Sequence, residues 1–347
     1  MVAVRSVARQ AEARRPACPS QSLAPDDLLH WHRTMLLARV ISERIWLLNR
    51  LGKVHLAVTC QGHEAAQIGS AAALRAGVDI CVPYYRDLAV MLMLGMTPRT
   101  IMLNAFARRD DPNSGGRQMP AHWSWPERKV LTTSSPVATQ IPHAVGMALA
   151  AKLRGQDSCA IVYFGDGATS QGDFHEAVNF AAIHQLPVVF FCENNGLAIS
   201  VPYPLQSATP TIAEKAAAYG IPGVRVEGHN VLAVYDATFQ ALERARRGEG
   251  PTLVDAVVPR LTPHTSNDDE SRYRPAEERE QARIHDPLAW FSRYLKDKGY
   301  LNDVQEQSEL QDVKDEVEEA TEHAEESPDP HPAQLFTHLF AGNGRTP

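Results

Sequence analysis

Residues 159–167 read CAIVYFGDG and residues 188–196 read VVFFCENNG, two short apolar runs that each end in a polar turn containing glycine. Each run has the length and the β-branched and aromatic content of a buried strand. The stretch from 173 to 184 has a helical pattern, so a crossover helix joins the two strands. Because such a crossover connects parallel neighbours, we expect both strands to end at the same edge of one sheet.

The sequence on either side continues this alternation. Further strands are predicted at 223–226 and 252–258, and further helices at 26–51, 62–76, 138–153 and 233–247. Strands alternating with helices predict an α/β fold, with a parallel sheet covered by helices on both faces. Two long irregular segments, 104–136 and 259–275, interrupt the pattern, and long loops inside compact domains are often functional. An acidic, solvated helix is predicted at 302–327.

Composition limits the classes of protein to which the chain can belong. Lys and Arg total 34 and Asp and Glu total 41 among 347 residues, and the formal charge of −7 argues against a nucleic-acid or membrane-surface protein. No apolar run approaches the roughly 18 residues of a membrane-spanning helix. The five cysteines lack metal-ligand spacing, which favours reduced thiols and a cytosol-like compartment. The Arg-rich start of the chain indicates a disordered leader, with an organelle transit peptide as the alternative.

The two polar turns carry the strongest chemical signal. Asp166 follows the first strand, and Asn195 follows the second 29 residues later. At one sheet edge they would offer a carboxylate and an amide oxygen, the hard ligands that suit Mg²⁺ in a shell with room for phosphates. The adjacent glycines allow a phosphorylated ligand to approach the main chain. The turn GDGATSQG is not a P-loop, since it lacks the Lys and Ser/Thr ending, and it is not a GxGxxG dinucleotide fingerprint.

Residues 164–202, with these turns at their centre, resemble the thiamine-diphosphate-binding motif of the 2-oxo acid dehydrogenase family. More narrowly, the chain is similar to alpha subunits of the decarboxylating component, from about 28 to 300. The likeness includes GHEAA at 62–66, PYYRD at 83–87, GGRQMP at 115–120, SSPVATQ at 134–140 and HTSNDDESRYR at 264–274. It implies a thiamine diphosphate-binding domain at 26–300, between a disordered tail at 1–25 and an acidic helical extension at 301–347.

The same resemblance implies roles for individual residues of a cofactor site. Mg²⁺ would be bound by Asp166, the side chain of Asn195 and the backbone carbonyl of Leu197. The diphosphate would be held by Gly167, Ala168 and Asn195, with Tyr85, Arg86 and His264 reaching it from other loops. The aminopyrimidine would lie beside Ser135 and Val137. A structural potassium site is implied at Ser134, Pro136, Thr139 and Gln140.

Substrate and catalytic residues are implied as well. Relatives surround the acyl chain of the substrate with residues matching Leu56, Tyr85, Met119, Pro120, Ala121, His122 and Ser135. Ser135 and His264 are the implied catalytic residues, and His264 is expected to exchange a proton near neutral pH. The motifs are more similar to branched-chain 2-oxo acid dehydrogenases than to pyruvate dehydrogenases. Pyruvate or acetoin dehydrogenase alpha subunits are the alternative.

The implied activity is thiamine diphosphate-dependent oxidative decarboxylation of branched-chain 2-oxo acids, with the acyl group passed to the lipoyl group of an acyltransferase component. In this family the glutamate that activates the cofactor belongs to a separate beta subunit. We therefore expect an α₂β₂ heterotetramer, since 347 residues have room for one such domain. The alternative to an enzyme is a regulatory subunit without activity, but such a subunit would have lost Asp166 or Asn195, and both are present. The expected location is bacterial-type cytoplasm, or the mitochondrial matrix if the leader is a transit peptide.

The irregular segment 259–275 should become protected when the cofactor binds. His264, and Arg260 upstream, would gain anionic partners from the diphosphate, and such contacts must offset about 1–2 kcal/mol of backbone entropy per ordered residue. Limited proteolysis should therefore cut within 259–275 more slowly when thiamine diphosphate and Mg²⁺ are present. Equal cutting rates in the two conditions would separate this loop, and His264 with it, from the cofactor site. Phosphate added at Thr265 should disfavour the ordered loop, because it places negative charge beside the diphosphate.

Overall fold

The computed structural model describes residues 19–337, so most of the predicted tail and the end of the predicted C-terminal extension lie outside the described residues. The strands are β1 (Ile80–Val82), β2 (Ala160–Gly165), β3 (Val188–Asn194), β4 (Leu197–Ala198), β5 (Val201–Pro202), β6 (Gly223–Glu227) and β7 (Thr252–Val257). The helices are α1 (Pro25–Arg50), α2 (Glu64–Ala72), α3 (Leu88–Met93), α4 (Pro98–Ala105), α5 (Gln140–Leu153), α6 (Gly172–Ile183), α7 (Ile212–Lys215), α8 (Val231–Arg246), α9 (Ala276–Ile284), α10 (Pro287–Asp297) and α11 (Asp303–Glu326).

Five strands form one sheet in the order β1-β2-β3-β7-β6, and each neighbouring pair is parallel. In the central pair, β2 and β3, Gly165 lies opposite Glu193. The strands β4 and β5 form a separate antiparallel pair directly after β3. The predicted parallel α/β sheet is confirmed, and the two polar turns leave it at the same edge.

Helices cover both faces of the sheet, and each face has its own apolar core. On one face Ala160, Val162 and Phe164 of β2 pack with α5 and α6. On the other face Ile161 and Tyr163 belong to the core that includes α1, α2 and α8. Because successive strand residues point to opposite faces, β2 is apolar at nearly every position. Burial of each large apolar side chain contributes about 1.5–3 kcal/mol to the stability of the fold. Because both faces of β2 and β3 are buried, both strands are continuous apolar runs in the sequence.

Two helices begin later than their sequence patterns predict. α2 starts at Glu64 rather than 62, because Gly62 has a φ of +95° and a Cβ there would lie 2.0 Å from the carbonyl oxygen of Pro259. α5 starts at Gln140 rather than 138, because Ala138 has a left-handed φ of +75°. The first departure seats the 259–275 loop against α2. The second turns the segment before α5 toward the carboxyl edge of the sheet.

Several short elements were not predicted, among them β1, α3, α4 and the β4–β5 pair. β1 has three residues, too few to show a periodic pattern, and it is defined by its pairing with β2. α3 and α4 have six and eight residues and lie next to the irregular segment 104–136. Within residues 19–337, no helix has the combination of length and apolar composition needed to span a membrane.

The predicted acidic helix is present as α11. Its N-terminus is capped by Asn302, whose side chain accepts a hydrogen bond from the backbone N–H of Gln305. Most of its acidic residues are solvent-exposed, as predicted, but one face is buried against α1 and α4. That face consists of Val313, Val317, Ala320 and Ala324. The helix is therefore amphipathic and shares the main apolar core with the N-terminal helix.

Replacing Val317 with Ala tests this packing. Val317 is 2% exposed, so losing two buried methyl groups should lower the free energy of unfolding by about 2 kcal/mol. Val304 of the same helix is 80% exposed, so Val304→Ala is the matched control and should change the free energy of unfolding little. Urea denaturation of the purified variants measures both values. Equal effects of the two substitutions would contradict the burial of this face of α11.

Candidate active site

A cavity opens at the carboxyl ends of β2 and β3, where the two polar turns meet. Its lining includes the complete predicted cofactor set, namely Tyr85, Arg86, Ser135, Val137, Asp166, Gly167, Ala168, Asn195 and His264. Leu197 also lines it, as do Ser134, Pro136 and Gln140 of the predicted potassium set, whereas Thr139 does not. Further lining residues, not predicted from sequence, are Tyr84, Ala138, Gly165, Gln171, Ala198 and Ile199.

Asp166 forms the acidic corner of this cavity. The residue is 1% exposed, and its Oδ2 accepts a hydrogen bond from Nε2 of Gln206 at 2.9 Å, while Oδ1 has no partner. Burial raises the pKa of Asp166 above its usual value, although the Gln206 contact opposes the shift. An unpartnered carboxylate oxygen is costly in such a place, and a cation would remove the cost. The chemistry of this corner fits a hard metal ion with oxygen ligands.

The turn after β3 completes this corner. The side-chain oxygen of Asn195 accepts a hydrogen bond from the backbone N–H of Leu197 at 3.2 Å, and Gly196 has a φ of +75°. Opposite it, a Cβ at Gly167 would lie 2.9 Å from the Cβ of Ala198, so the two turns touch through glycine. Among the described residues, no cluster of three His, Cys, Asp or Glu side chains forms a metal site. A cation here would depend on one carboxylate with amide and carbonyl oxygens.

Arg86 forms the basic side of the cavity. Its guanidinium donates to the carbonyl of Thr59 at 2.7 Å, and its other terminal nitrogen lies 3.3 Å from both Nδ1 and the carbonyl oxygen of His264. The ring of Tyr85 stacks below the guanidinium at 5.6 Å and meets the His264 ring edge-on. A buried guanidinium with donors to spare suits a phosphate oxygen. The loops at 84–87 and 259–275, distant in sequence, therefore meet here.

His264 differs from the expectation of a group titrating near neutrality. Burial, followed by the charge of Arg86, lowers the pKa of His264 to about 4. In this environment the imidazole is neutral at pH 7. It therefore offers a ring nitrogen as an acceptor to Arg86 rather than a positive charge.

The loop that carries His264 is held by its own polar contacts. Asp268 accepts hydrogen bonds from the backbone N–H of His264 at 2.8 Å and from the hydroxyl of Tyr273. Arg260 is 1% exposed and donates to Tyr273 and to the carbonyl of Ile199, at 2.7 and 2.9 Å. Arg260 was expected to gain the diphosphate as a partner. Its hydrogen bonds instead join the loop to the turn that follows β4.

A second, apolar cavity adjoins the first and shares Tyr85 with it. Its lining is Ile45, Leu56, Val58, Tyr85, Leu88, Ile101, Asn104, Ala105, Pro120, Ala121 and Trp123. Four of the predicted substrate residues are present, Leu56, Tyr85, Pro120 and Ala121. Ser135, also predicted to contact the substrate, lines the polar cavity instead. The remaining two predicted substrate residues, Met119 and His122, line neither cavity. Met119 is 53% exposed, and His122 lies behind Ser135.

A fully buried polar network supports the loop that carries Tyr85 and Arg86. The side-chain amide of Gln67 donates to the carbonyl of Arg86 and accepts from the N–H of Ala89, both at 3.0 Å. The same amide donates to Glu193, as do Nδ1 of His63 at 2.6 Å and the Tyr84 hydroxyl at 3.1 Å. This network was not predicted, although His63 and Tyr84 belong to motifs quoted above. The sequence does not show it, because the network joins residues 63, 67 and 84 to residue 193, which are far apart in the chain.

Two carboxyl groups in this network respond oppositely to burial. Burial opposes ionisation of Glu193, but hydrogen bonds led by that from His63 outweigh it, and the pKa of Glu193 is lowered. Burial and the adjacent Glu193 charge raise the pKa of Asp87 well above its usual range. Asp87 therefore holds a proton more tightly than Glu193 does, and it accepts a hydrogen bond from the backbone N–H of Tyr84 at 2.7 Å. The two carboxyl groups lie behind the basic side of the cavity, where burial disfavours a second negative charge.

Comparison with known proteins agrees with this geometry. The Dehydrogenase E1 component family matches residues 32–333. The chain is 51% identical over 319 residues to the 2-oxoisovalerate dehydrogenase subunit alpha of Bacillus subtilis, covering 92% of this chain and 97% of that protein. It is 40% identical over 318 residues to the 3-methyl-2-oxobutanoate dehydrogenase subunit alpha of Mycobacterium tuberculosis, covering 91% and 84%. It is 37% identical over 319 residues to the mitochondrial 2-oxoisovalerate dehydrogenase subunit alpha of Mus musculus, covering 92% and 72%. The chain belongs to the Dehydrogenase E1 component family.

Proposed function

We propose that this chain is the alpha subunit of a branched-chain 2-oxo acid dehydrogenase, an enzyme of the EC 1.2.4.4 type. The reaction is thiamine diphosphate-dependent oxidative decarboxylation of 3-methyl-2-oxobutanoate and related acids, with the acyl group passed to the lipoyl group of an acyltransferase component. The observation that carries this proposal is the apolar cavity beside the polar one, joined through Tyr85. The relatives named for branched-chain substrates support it further.

The polar cavity fits a diphosphate with its metal ion. Asp166, the side chain of Asn195 and the carbonyl of Leu197 would bind Mg²⁺, and the unpartnered Oδ1 of Asp166 is the feature in favour. Gly167 and Ala168 would hold the diphosphate through their backbone, and Arg86 would pair with its oxygens while His264 and Tyr85 lie beside it. When bound, thiamine diphosphate supplies the electron sink that decarboxylation requires. The residues of the polar cavity would hold the cofactor beside the apolar cavity, since the two cavities share Tyr85.

A potassium site beside the cofactor is part of the proposal. Ser134, Pro136, Thr139 and Gln140 would form it. Nε2 of Gln140 donates to the carbonyl of Tyr163 at 3.0 Å, whereas its Oε1 is buried without a partner. A buried amide oxygen without a donor favours a cation at this position. The site would stiffen the turn that carries Ser135 and Val137.

The apolar cavity accounts for the choice of a branched-chain acid. Its walls are formed largely by aliphatic and aromatic side chains, and the amide of Asn104 is already bonded to Asp111 and to the backbone N–H of Ala121. An isopropyl or isobutyl group would therefore lose no hydrogen bonds here and would remove apolar surface from water. Pyruvate, the substrate of the alternative enzyme, carries only a methyl group and would leave this space unfilled.

The site needs a second chain. Asp166 is the one carboxylate among the described residues that line the cavity, so the glutamate that activates the cofactor must come from elsewhere. Apolar side chains stand exposed at the same edge, with Val137 at 50%, Ile199 at 56% and Leu205 at 78%. A beta subunit covering them would complete both the site and the surface. We propose a heterotetramer of two alpha and two beta chains, which transfers acyl groups to the lipoyl acyltransferase component.

We also propose a domain division and a cellular location, both based on the similarity to these relatives. Residues 26–300 would form the cofactor-binding domain, and 301–347 would form a C-terminal extension that includes α11. A bacterial-type cytoplasmic location agrees with the Bacillus relative, and the mitochondrial relative keeps the matrix as the alternative.

Removing the Asp166 carboxylate tests the cofactor site. Asp166→Asn should abolish Mg²⁺-dependent binding of thiamine diphosphate, because the metal loses its only charged protein ligand. The thermal stability of the cofactor-free protein should not fall, since the substitution removes a buried carboxylate oxygen without a partner. Calorimetry of the complex measures the first effect, with Asp173→Asn, in the first helical turn of α6, as the control. Unchanged cofactor affinity in Asp166→Asn would overturn the assignment.

A substrate panel tests the acyl cavity. The co-expressed alpha and beta chains should release carbon dioxide from 3-methyl-2-oxobutanoate with a kcat/KM at least about tenfold above that for pyruvate, as one buried methylene group discriminates by about that factor. The alpha chain alone should show no turnover. Leu56→Phe should narrow the cavity and lower kcat/KM for the branched acid selectively, whereas Leu51→Phe, at a site 62% exposed, is the matched control. A complex that prefers pyruvate would support the alternative enzyme.

A further inference from the structure

His122 and Ser135 form a hydrogen-bonded pair at the edge of the candidate active site. Nε2 of His122 lies 2.6 Å from Oγ of Ser135. Ser135 lines the polar cavity, whereas His122 is 7% exposed and lines neither cavity. His122 can therefore act on the contents of the cavity through the hydroxyl of Ser135.

The second ring nitrogen of His122 sets the direction of this hydrogen bond. Nδ1 lies 3.2 Å from the carbonyl oxygen of Pro120. A carbonyl oxygen only accepts, so in the neutral form of the imidazole the proton is on Nδ1 and Nε2 is bare. The hydroxyl of Ser135 must then donate its proton to Nε2. Its lone pairs are left for the cavity, which makes Ser135 an acceptor there.

The turn before His122 is built to hold the ring in this position. Ala121 has a left-handed φ of +63°, a conformation that non-glycine residues adopt only where the surroundings impose it. Its backbone N–H donates to Oδ1 of Asn104 at 2.8 Å. Asn104 is itself buried and donates to Asp111 at 3.2 Å. These hydrogen bonds fix the position of the Pro120 carbonyl, which in turn favours the tautomer of His122 that donates to it.

We propose that His122 is a positioning residue that holds the Ser135 hydroxyl as a hydrogen-bond acceptor toward the cavity. The partner it serves is an N–H or O–H group of the molecule bound there. The inference rests on the proposed function, because the bound molecule is taken to be thiamine diphosphate or the 2-oxo acid substrate. It gives His122 a role through Ser135, in place of the direct contact with the acyl chain that the resemblance implies.

Four variants of the alpha chain, each assembled with the beta subunit, test the pair. Ser135→Ala removes the acceptor, His122→Leu frees the hydroxyl to rotate, and a third variant combines both. His122→Gln is the conservative variant, because a side-chain amide oxygen can replace Nε2 as the acceptor. His143→Leu, at an exposed position of α5, is the control for loss of a histidine. Thermal denaturation of every variant shows that the complex has folded.

Two measurements distinguish the source of the donor. Calorimetry with Mg²⁺ gives the affinity for thiamine diphosphate without turnover, and steady-state kinetics give KM and kcat for 3-methyl-2-oxobutanoate. Ser135→Ala and His122→Leu should change the same quantity by a similar factor of about ten, the value of one net hydrogen bond. The double variant should be no worse than either single variant, and His122→Gln should stay close to wild type.

Three results would overturn the proposal: multiplied effects in the double variant, a His122→Gln variant that behaves like His122→Leu, or a His122→Leu variant that changes neither measurement. If His122→Leu does not fold, the contrast between a weakened Ser135→Ala and an intact His122→Gln still decides the question. Failure of the proposed substrate class would be seen separately, as a complex that binds the cofactor, responds to these variants in calorimetry, and does not decarboxylate the branched acid.

Discussion

The parallel pairing of β2 with β3 is the constraint on which the rest of the site depends. Gly165 lies opposite Glu193, so both strands end at one level and release their polar turns side by side. The pairing is secured by apolar side chains on both faces of each strand, which belong to two separate cores. A slip of one residue would move each side chain of a strand to the opposite face, where its size and shape would not match the core packed there. The distance between Asp166 and Asn195 is thus determined by the apolar cores rather than by the turns themselves.

The same strand ends recruit loops from distant parts of the chain. Glu193, near the end of β3, accepts hydrogen bonds from His63, Gln67 and Tyr84, and Gln67 in turn holds the backbone at Arg86. The segment after β7 returns to the same edge, where His264 meets Arg86. One buried negative charge at Glu193 therefore supports the basic wall of the cavity from behind. Because each partner is buried, loss of one would leave the others without compensation.

Charge is distributed across the cavity in a way that suits a metal-bound anion. Asp166, with one free oxygen, occupies the corner between the turns, and Arg86 occupies the opposite loop. His264 adds no positive charge, because burial and Arg86 keep it neutral. A lone anion would be repelled by Asp166 and a lone cation by Arg86, whereas the diphosphate with Mg²⁺ proposed above would satisfy both. The exposed apolar side chains of Val137 and Ile199 lie at the same edge, where the proposed beta subunit would cover them.

The local sequence was sufficient to predict β2, β3, β6 and β7, the crossover helix and the two polar turns, because apolar periodicity and glycine-bearing turns are properties of neighbouring residues. The Asp166–Asn195 pair and the motifs at 83–87, 134–140 and 264–274 were also visible in the sequence, and all of them meet at one cavity. Only the tertiary structure decided the neutral state of His264, the inward contacts of Arg260, the exposure of Met119 and the position of His122 behind Ser135. The physical reason is that burial and hydrogen-bond partners depend on segments far apart in the chain. A residue's type fixes which hydrogen bonds and charges it can have, but its neighbours in space determine which of them it uses.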